Sequence, residues 1–549
     1  MTLVSRYALR TLWRQGRPRS MLLARPQIRG IMMVGPQILG DENEEDSGSS
    51  KKNDPKDDRR EKFSQAAFKA LETAAVTFAT LTVLGVSGIM YHIYYQKRVL
   101  KKIRMAFNEG DPSLDMAFHS NDPESADWIV RDEQAIIDKA VSGRGLGRYY
   151  LIIGEKGTGK TSMLLEALRR VEGRNCAMFE AHSDPEIVRI RLGKALNYQY
   201  HEDYIGSLFS IRGPRDTTAL LDIERAFDKL EEVALDVVKE KGRPLVLIVN
   251  STHLLREDDD GENLVELLQQ RAEQFAASGI LTMIFNSDDY WVYERFKKLS
   301  TRLDVVTIKD LGRAKAIEAL QHWRRKYFGD SVPVSVCNRI YDMVGGRPQF
   351  LNRVAQHSDM LAHAQQLVET EKTWFLNQCG LLGEDMDDDV MESGKFSGSA
   401  MLLAKELVEM EKKHIDSKGK PLPDQDHILP SLPLWRARQV MTRADYIQRY
   451  DNLNIFTIDS KSHVRADSAP MMEAFRQICA EPGFDNLLEE TLDRVSAIES
   501  LGRTRELVLK DLVGGGKYRI ELEKGNSWKG VGNRISMEVV PPPEEEDDD

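Results

Sequence analysis

Hydrophobic positions along the middle of this chain alternate between two patterns. The continuous apolar run YYLII (149–153) precedes a turn and then SMLLEALRRV (162–171), whose apolar side chains recur at helical spacing. The same order returns at NCAMFEAH (175–182), at PLVLIVNSTHLL (244–255) behind a helix-rich stretch from Thr217 to Lys241, and at GILTMIFNSDD (279–289). A last such strand lies within KKLSTRLDVVTIKDL (297–311). Short runs that stay apolar through both faces, joined by helices, predict an α/β core of three layers with a sheet covered on both sides.

Behind this core the spacing becomes helical. Helices are predicted from Arg313 to Tyr327 and within CNRIYDMVGGRPQFLNRVAQ (337–356), where Gly346, Arg347 and Pro348 interrupt and restart the pattern. After the acidic break EDMDDD (384–389), residues 398–414 read as a helix and 436–450 as two shorter ones. NLNIFTIDSKSHVRA (452–466) reads as two strands turning at Asp459–Ser462, and a helix follows at 469–479. Helix, helix, helix and hairpin is the order of a winged-helix-like α+β domain. Residues 481–512 continue helical, and 513–549 read as a tail that closes on PPPEEEDDD.

The first hundred residues follow other rules. Residues 1–40 hold seven arginines (Arg6, Arg10, Arg14, Arg17, Arg19, Arg25 and Arg29) and no acid. Arg6, Arg10, Arg14 and Arg17 share one side of a helix, with Val4, Ala8 and Leu12 on the other, which is the composition of a mitochondrial presequence. Residues 41–72 open as DENEEDSGSSKKNDPKDDRREK and predict a disordered charged linker, because so few apolar side chains cannot offset ordering entropy. From Thr73 to Gln96 run 24 uncharged residues. At about 1.5 Å per residue they outreach a hydrocarbon layer of about 30 Å and predict one transmembrane helix. Tyr91, Tyr94 and Tyr95 stand at its end, and Lys97, Arg98, Lys101, Lys102 and Arg104 open a juxtamembrane segment at 97–120. A single-pass protein of the mitochondrial inner membrane is implied, with its bulk on either the matrix or the intermembrane-space side.

Charge and cysteine content narrow the partners. A net charge of −11 over 549 residues disfavours nucleic acid as the main partner, and the winged helix carries no dense basic run. Protein contact is favoured over DNA readout. Cys176, Cys337, Cys379 and Cys479 form no CxxC pair and read as reduced core thiols.

The chemistry is carried by GEKGTGKT (154–161), a complete GxxxxGK[ST] between an apolar strand and a helix. Gly154, Glu155, Lys156, Gly157, Thr158 and Gly159 would turn backbone N–H groups to phosphate oxygens, and Ser162 lies in the helix N-terminus. Lys160 would reach the β- and γ-phosphates, and the Thr161 hydroxyl would ligate Mg²⁺. ATP with Mg²⁺ is the ligand that this loop predicts.

With these motifs the chain resembles the origin-recognition and STAND-like branch of AAA+ P-loop ATPases, and in outline the fungal mitochondrial proteins that add a C-terminal winged helix, related to the mitochondrial escape protein 2 group. The resemblance implies an AAA+ core at 121–311, a helical lid at 312–380 and a winged helix at 395–480. It also implies Arg131, in WIVRDE (128–133), on the adenine side, and Asn286 as the polar residue that touches the γ-phosphate or the water. Asn286 as a simple helix cap is the competing reading. Arg302 is the candidate arginine finger, with Arg295 and Arg313 as alternatives. Gly346-Arg347-Pro348 matches a lid motif that holds the adenine side, while Arg347 or Arg353 could serve as a sensor arginine.

At the chemical centre the chain departs from the family. Asn250 stands where the Mg²⁺-orienting aspartate is expected, and Ser251 where the water-polarising glutamate is expected. Neither brings a negative charge, so nucleotide binding is expected to outlast hydrolysis. The reading that follows is an ATP-binding, membrane-tethered switch or scaffold with weak or absent hydrolysis. Its alternative is an active ATPase that remodels protein or mitochondrial nucleic acid as a homo-oligomer, with Arg302 acting across a subunit boundary.

Overall fold

The computed structural model describes residues 55–108, 129–200, 218–383, 386–418, 426, 428–503, 517–523 and 534–540. The presequence reading at 1–40, Trp128 and the acidic terminus lie outside them. Two units result, residues 1–82 and 83–549.

The first unit is described by the front of helix α1 (Pro55–Ala106), which runs on into the second. Helix here begins inside the stretch expected as a disordered linker, so that expectation is corrected for residues 55–72. Among the described residues this is one helix long and apolar enough to cross a membrane, Ala66–Ala106, with a mean hydropathy of 1.7 in its most apolar window and none of that window buried. Its threonines suit such a role. Thr73, Thr77, Thr80 and Thr82 donate to the carbonyls of Lys69, Thr73, Val76 and Phe78 at 2.7–2.8 Å. A hydroxyl bonded within its own helix leaves no donor to face hydrocarbon.

In the second unit a five-stranded parallel sheet has the order β2-β3-β4-β1-β5. Its strands are β1 (Tyr149–Ile153), β2 (Cys176–Glu180), β3 (Leu245–Asn250), β4 (Leu281–Ser287) and β5 (Leu303–Thr307). Alternation along β1 explains the layering. Tyr149, Leu151 and Ile153 join the cluster on one face, with side chains of α4 (Pro185–Ala195), α5 (Ala219–Lys241), α6 (Asp259–Ser278) and α7 (Tyr290–Leu299). Tyr150 and Ile152 join the cluster on the other, against α2 (Gln134–Val141) and α3 (Lys160–Arg170). The end of α1 also belongs to the first cluster through Ile103 and Ala106, as does Phe107 just after it. The expected juxtamembrane segment is therefore packed helix as far as Ala106.

Four helices follow, α8 (Arg313–Phe328), α9 (Val334–Val344), α10 (Pro348–Ala355) and α11 (Met360–Cys379), and they bury a core of their own around Leu320, Ile340 and Leu351. Next come α12 (Met391–Lys418), β6 (Ser431–Pro433), α13 (Leu434–Met441), α14 (Ile447–Asn452), β7 (Phe456–Ile458), β8 (His463–Ala466) and α15 (Ala469–Cys479). The strands form an antiparallel sheet of order β6-β8-β7, which makes this the winged helix. Helix α16 (Phe484–Arg503) packs on α12 through Val495 and Leu488.

Residues 513–549 are not simply a tail. Strands β9 (Lys517–Glu523) and β10 (Arg534–Val540) pair antiparallel, with Tyr518 opposite Val539, Ile520 opposite Met537 and Leu522 opposite Ile535. The period-2 alternation of KYRIELE and RISMEVV is the physical signal for this hairpin, and the charge around it had obscured the pattern. The four cysteines are free thiols; three are buried and Cys479 is half-buried.

Candidate nucleotide-binding site

The carboxyl ends of β1, β3 and β4 converge on the GEKGTGKT turn, as parallel strands in this order must. Gly154 is required by crowding, because a Cβ there would lie 2.3 Å from the Ile308 carbonyl oxygen. Gly157 and Gly159 adopt φ of +82° and +92°, the left-handed region open to glycine. Gly159 caps α3, and a Cβ on it would meet nothing within 4 Å, so the loop faces open space there. Glu155 and Thr158 are buried, Thr161 is half-buried, and Lys156 and Ser162 are exposed.

Lys160 is withdrawn into its own loop. Its Nζ donates to the Gly154 carbonyl at 2.7 Å and the Glu155 carbonyl at 2.8 Å, and pairs with the Asp288 carboxylate at 2.8 Å. Asp288 in turn takes His253 Nε2 at 3.6 Å, while its backbone N–H donates to His253 Nδ1 at 3.1 Å. Burial lowers the His253 pKa below the ordinary histidine range, against the pull of Asp288. Burial, then the Asp288 charge, pushes the neighbouring Asp289 up to about 7.

Thr161, Asn250 and Asn286 form a triangle at the strand ends. The Asn286 amide nitrogen donates to Asn250 Oδ1 at 2.7 Å and to Thr161 Oγ1 at 3.1 Å, and Thr161 Oγ1 reaches Asn250 Oδ1 at 3.4 Å. Asn286 Oδ1 is buried and has no hydrogen-bond partner among the described residues. This orphaned acceptor, the open face at Gly159 and a donor set made of oxygens suit a hydrated hard cation carried by a phosphate chain. Ser251 sits beyond Asn250 in left-handed backbone, φ +54°, and donates to Glu180 Oε1 at 3.4 Å. A cavity of about 690 Å³ adjoins the loop, lined by Lys156, His182, His253, Asp288, Asp289 and Trp291 among others.

Two regions behind the core reach this loop. Gln349, in the first turn of α10 after Pro348, donates its backbone N–H to the Gly157 carbonyl at 3.3 Å. From the winged helix, Arg465 on β8 forms an ion pair with Glu155. Around that pair, Thr307 meets Ser460 (2.7 Å), Tyr290 Oη meets Ser462 (2.9 Å), and the Tyr290 N–H donates to Asp451 (2.9 Å).

Several expected residues lie elsewhere. Arg347 is an internal tie: 2 % exposed, it binds the Asp467 carboxylate and carbonyl at 2.5 Å each and Asp310 at 3.2 Å. A guanidinium spent on two carboxylates is corrected as a phosphate sensor. Arg353 is exposed. Arg302 is exposed and its carbonyl accepts from Tyr149 N–H, at the sheet edge opposite the loop, so it cannot serve the site of its own chain. Arg295 pairs with Glu262 and Arg313 with Asp342. Arg131 donates to the Lys309 carbonyl at 2.9 Å and lies beside Asp310, at the seam of core and lid.

Residues 128–283 match the AAA ATPase domain, and residues 377–499 match the fungal AAA protein C-terminal winged helix domain. The chain thus carries an AAA-type P-loop domain and a fungal-AAA-type winged helix. Among solved structures, the AAA-type chain is similar to a Walker-type ATPase of Pyrococcus abyssi at 14% identity, over 64% of this chain and 97% of that one, with a TM-score of 0.40. The ORC2 protein of Aeropyrum pernix, solved in ADPNP–ADP complexes, gives 12%, 69%, 98% and 0.35. No curated protein matches the sequence.

Asp288 and Arg465 are among the site residues that the sequence reading missed. The doublet Asp288-Asp289, one residue beyond Asn286, is a usable signal for the first. The second has none, since Arg465 lies 310 residues from Glu155.

Proposed function

We propose that this AAA-type protein is an ATP-binding switch, tethered by α1 to the mitochondrial inner membrane, in which nucleotide occupancy governs how the winged helix is held, with weak or no hydrolysis. The observation that carries the reading is the Arg465–Glu155 ion pair, which joins the winged helix to the phosphate loop itself. Lys160 has to leave Asp288 and two carbonyls before it can meet a phosphate, so binding rearranges the strand of loop that Arg465 grips. Mg²⁺, when bound, neutralises phosphate charge, with Thr161 as its protein ligand. Asn250 and Ser251 supply no carboxylate for activating water, which supports binding over turnover. The mitochondrial address rests on the arginine-rich start, and the tether on the 24 uncharged residues from Thr73.

Two experiments test this reading. A fluorescent ATP analogue is expected to bind the detergent-solubilised chain at least tenfold more tightly than its Lys160→Ala variant, since a charged hydrogen bond to phosphate contributes about 1.5–3 kcal/mol. Equal weak binding by both proteins sinks the switch. In isolated mitochondria the chain is expected to remain in the membrane pellet after alkaline carbonate extraction, and release into the supernatant removes the tether. Protease protection of a C-terminal tag assigns the side.

A further inference from the structure

We infer that Glu180 is the carboxylate that activates the attacking water in place of the missing glutamate, so that whatever hydrolysis the switch performs passes through the end of β2. The inference rests on the reading of residues 154–161 as an ATP site. Strands β2 and β3 are parallel neighbours with Glu180 in register with Asn250, so Glu180 ends at the same edge of the sheet as the phosphate loop. Neighbouring strands lie about 4.8 Å apart, a displacement that a glutamate side chain spans. Ser251, at the position where a glutamate is missing, turns through φ +54° and points its hydroxyl at Glu180 Oε1, 3.4 Å away. The carboxylate thus lies one hydrogen bond from the place it would have to serve, and its side chain is 56 % exposed and free to swing.

Three other acids on that side of the core are already committed. Asp288 holds Lys160 and lies against His253. Asp289 stands at the N-terminus of α7, half-buried and close to Asp451. Asp258 caps α6 by accepting from the Gly261 N–H. Among the described residues, Arg191 is the cation paired with Glu180, and its guanidinium is 3.9 Å from Oε2 and donates to the Glu180 and Ala181 carbonyls instead. That contact is too long and too exposed to fix the carboxylate.

In the step proposed, the water oxygen bonds to the γ-phosphorus as the bond to the β,γ-bridging oxygen breaks, and that oxygen leaves with its electron pair on ADP. The proton lost by the water goes to the Glu180 carboxylate, directly or across the Ser251 hydroxyl, and from there to solvent.

The test compares wild type with Glu180→Gln in the full chain, following radiolabelled phosphate release and titrating ATP and ADP separately. Turnover is expected to fall by about 10²-fold or more. ATP is expected to tighten by about threefold to tenfold relative to ADP, because a negative charge facing the γ-phosphate is gone. Unchanged ADP affinity confirms that the variant is folded. Wild-type turnover in Glu180→Gln, or an unaltered ATP-to-ADP affinity ratio, overturns the inference. So does a wild type that releases no more phosphate than Lys160→Ala while still binding ATP. Failure of the wild type to bind ATP overturns the ATP site instead.

Discussion

Replacing Arg347 with alanine lowers the stability of the folded chain by about 3–5 kcal/mol, the cost of leaving a buried charge without its partner. Arg347 is 2 % exposed and lies at the start of the lid, yet it binds Asp467 of the winged helix and Asp310 of the core–lid connection. Burial drives the Asp467 carboxyl above the usual range, and Arg347 opposes that drive. Without the guanidinium, Asp467 has to be desolvated unpaired or take up a proton. Urea unfolding of wild type, Arg347→Ala and Arg347→Lys measures the effect. Lysine keeps the charge but not the fork that reaches three oxygens, so it should recover only part of the loss. An alanine variant within 1 kcal/mol of wild type would show that the three regions are not held together here.

The second large effect is a gain. Asn250→Asp places a negative charge 3.4 Å from the Thr161 hydroxyl that would ligate Mg²⁺, and should lower the Mg²⁺ concentration needed for half-maximal ATP-analogue binding by about 10- to 100-fold. Asn250 is 8 % exposed, so the same charge should destabilise the metal-free protein and leave the Mg²⁺-loaded protein little changed. Mg²⁺ titration at fixed analogue, with thermal melts in EDTA and in Mg²⁺, measures both. An unshifted Mg²⁺ midpoint would mean that Asn250 does not face the metal.

What could be read from the sequence divides along one physical line. The phosphate loop is a contiguous stretch of eight residues whose glycines and lysine act through local geometry, so its pattern in GEKGTGKT was sufficient. The strands betrayed themselves as apolar runs, and Asn250 and Asn286 stood at their ends for the same reason. Arg347 was misread because a basic residue beside Gly346 and Pro348 has the same local appearance whether it faces a phosphate or a carboxylate 120 residues away. Glu155 likewise offered no hint of Arg465. Arg302 lies just before β5, at the end of the sheet away from its own phosphate loop, so its expected role is one toward a neighbouring subunit. Helix α1 began early for another reason. Once an apolar segment propagates a helix, its charged flank joins it at little further cost, since nucleation is already complete.

The thiols bear on where such a chain can live. Cys176 is packed between sheet and helices, Cys337 within the lid and Cys379 within the winged helix, with Cys479 against the same winged-helix core. Burial raises Cys176 and Cys379 to about 12 and Cys479 to about 11, so the nucleophilic thiolate is scarce at each. No described segment depends on a disulfide, and thiol–disulfide exchange has little thiolate to begin from. The same fold is therefore available in a reducing compartment and in an oxidising one, and redox chemistry does not choose between them.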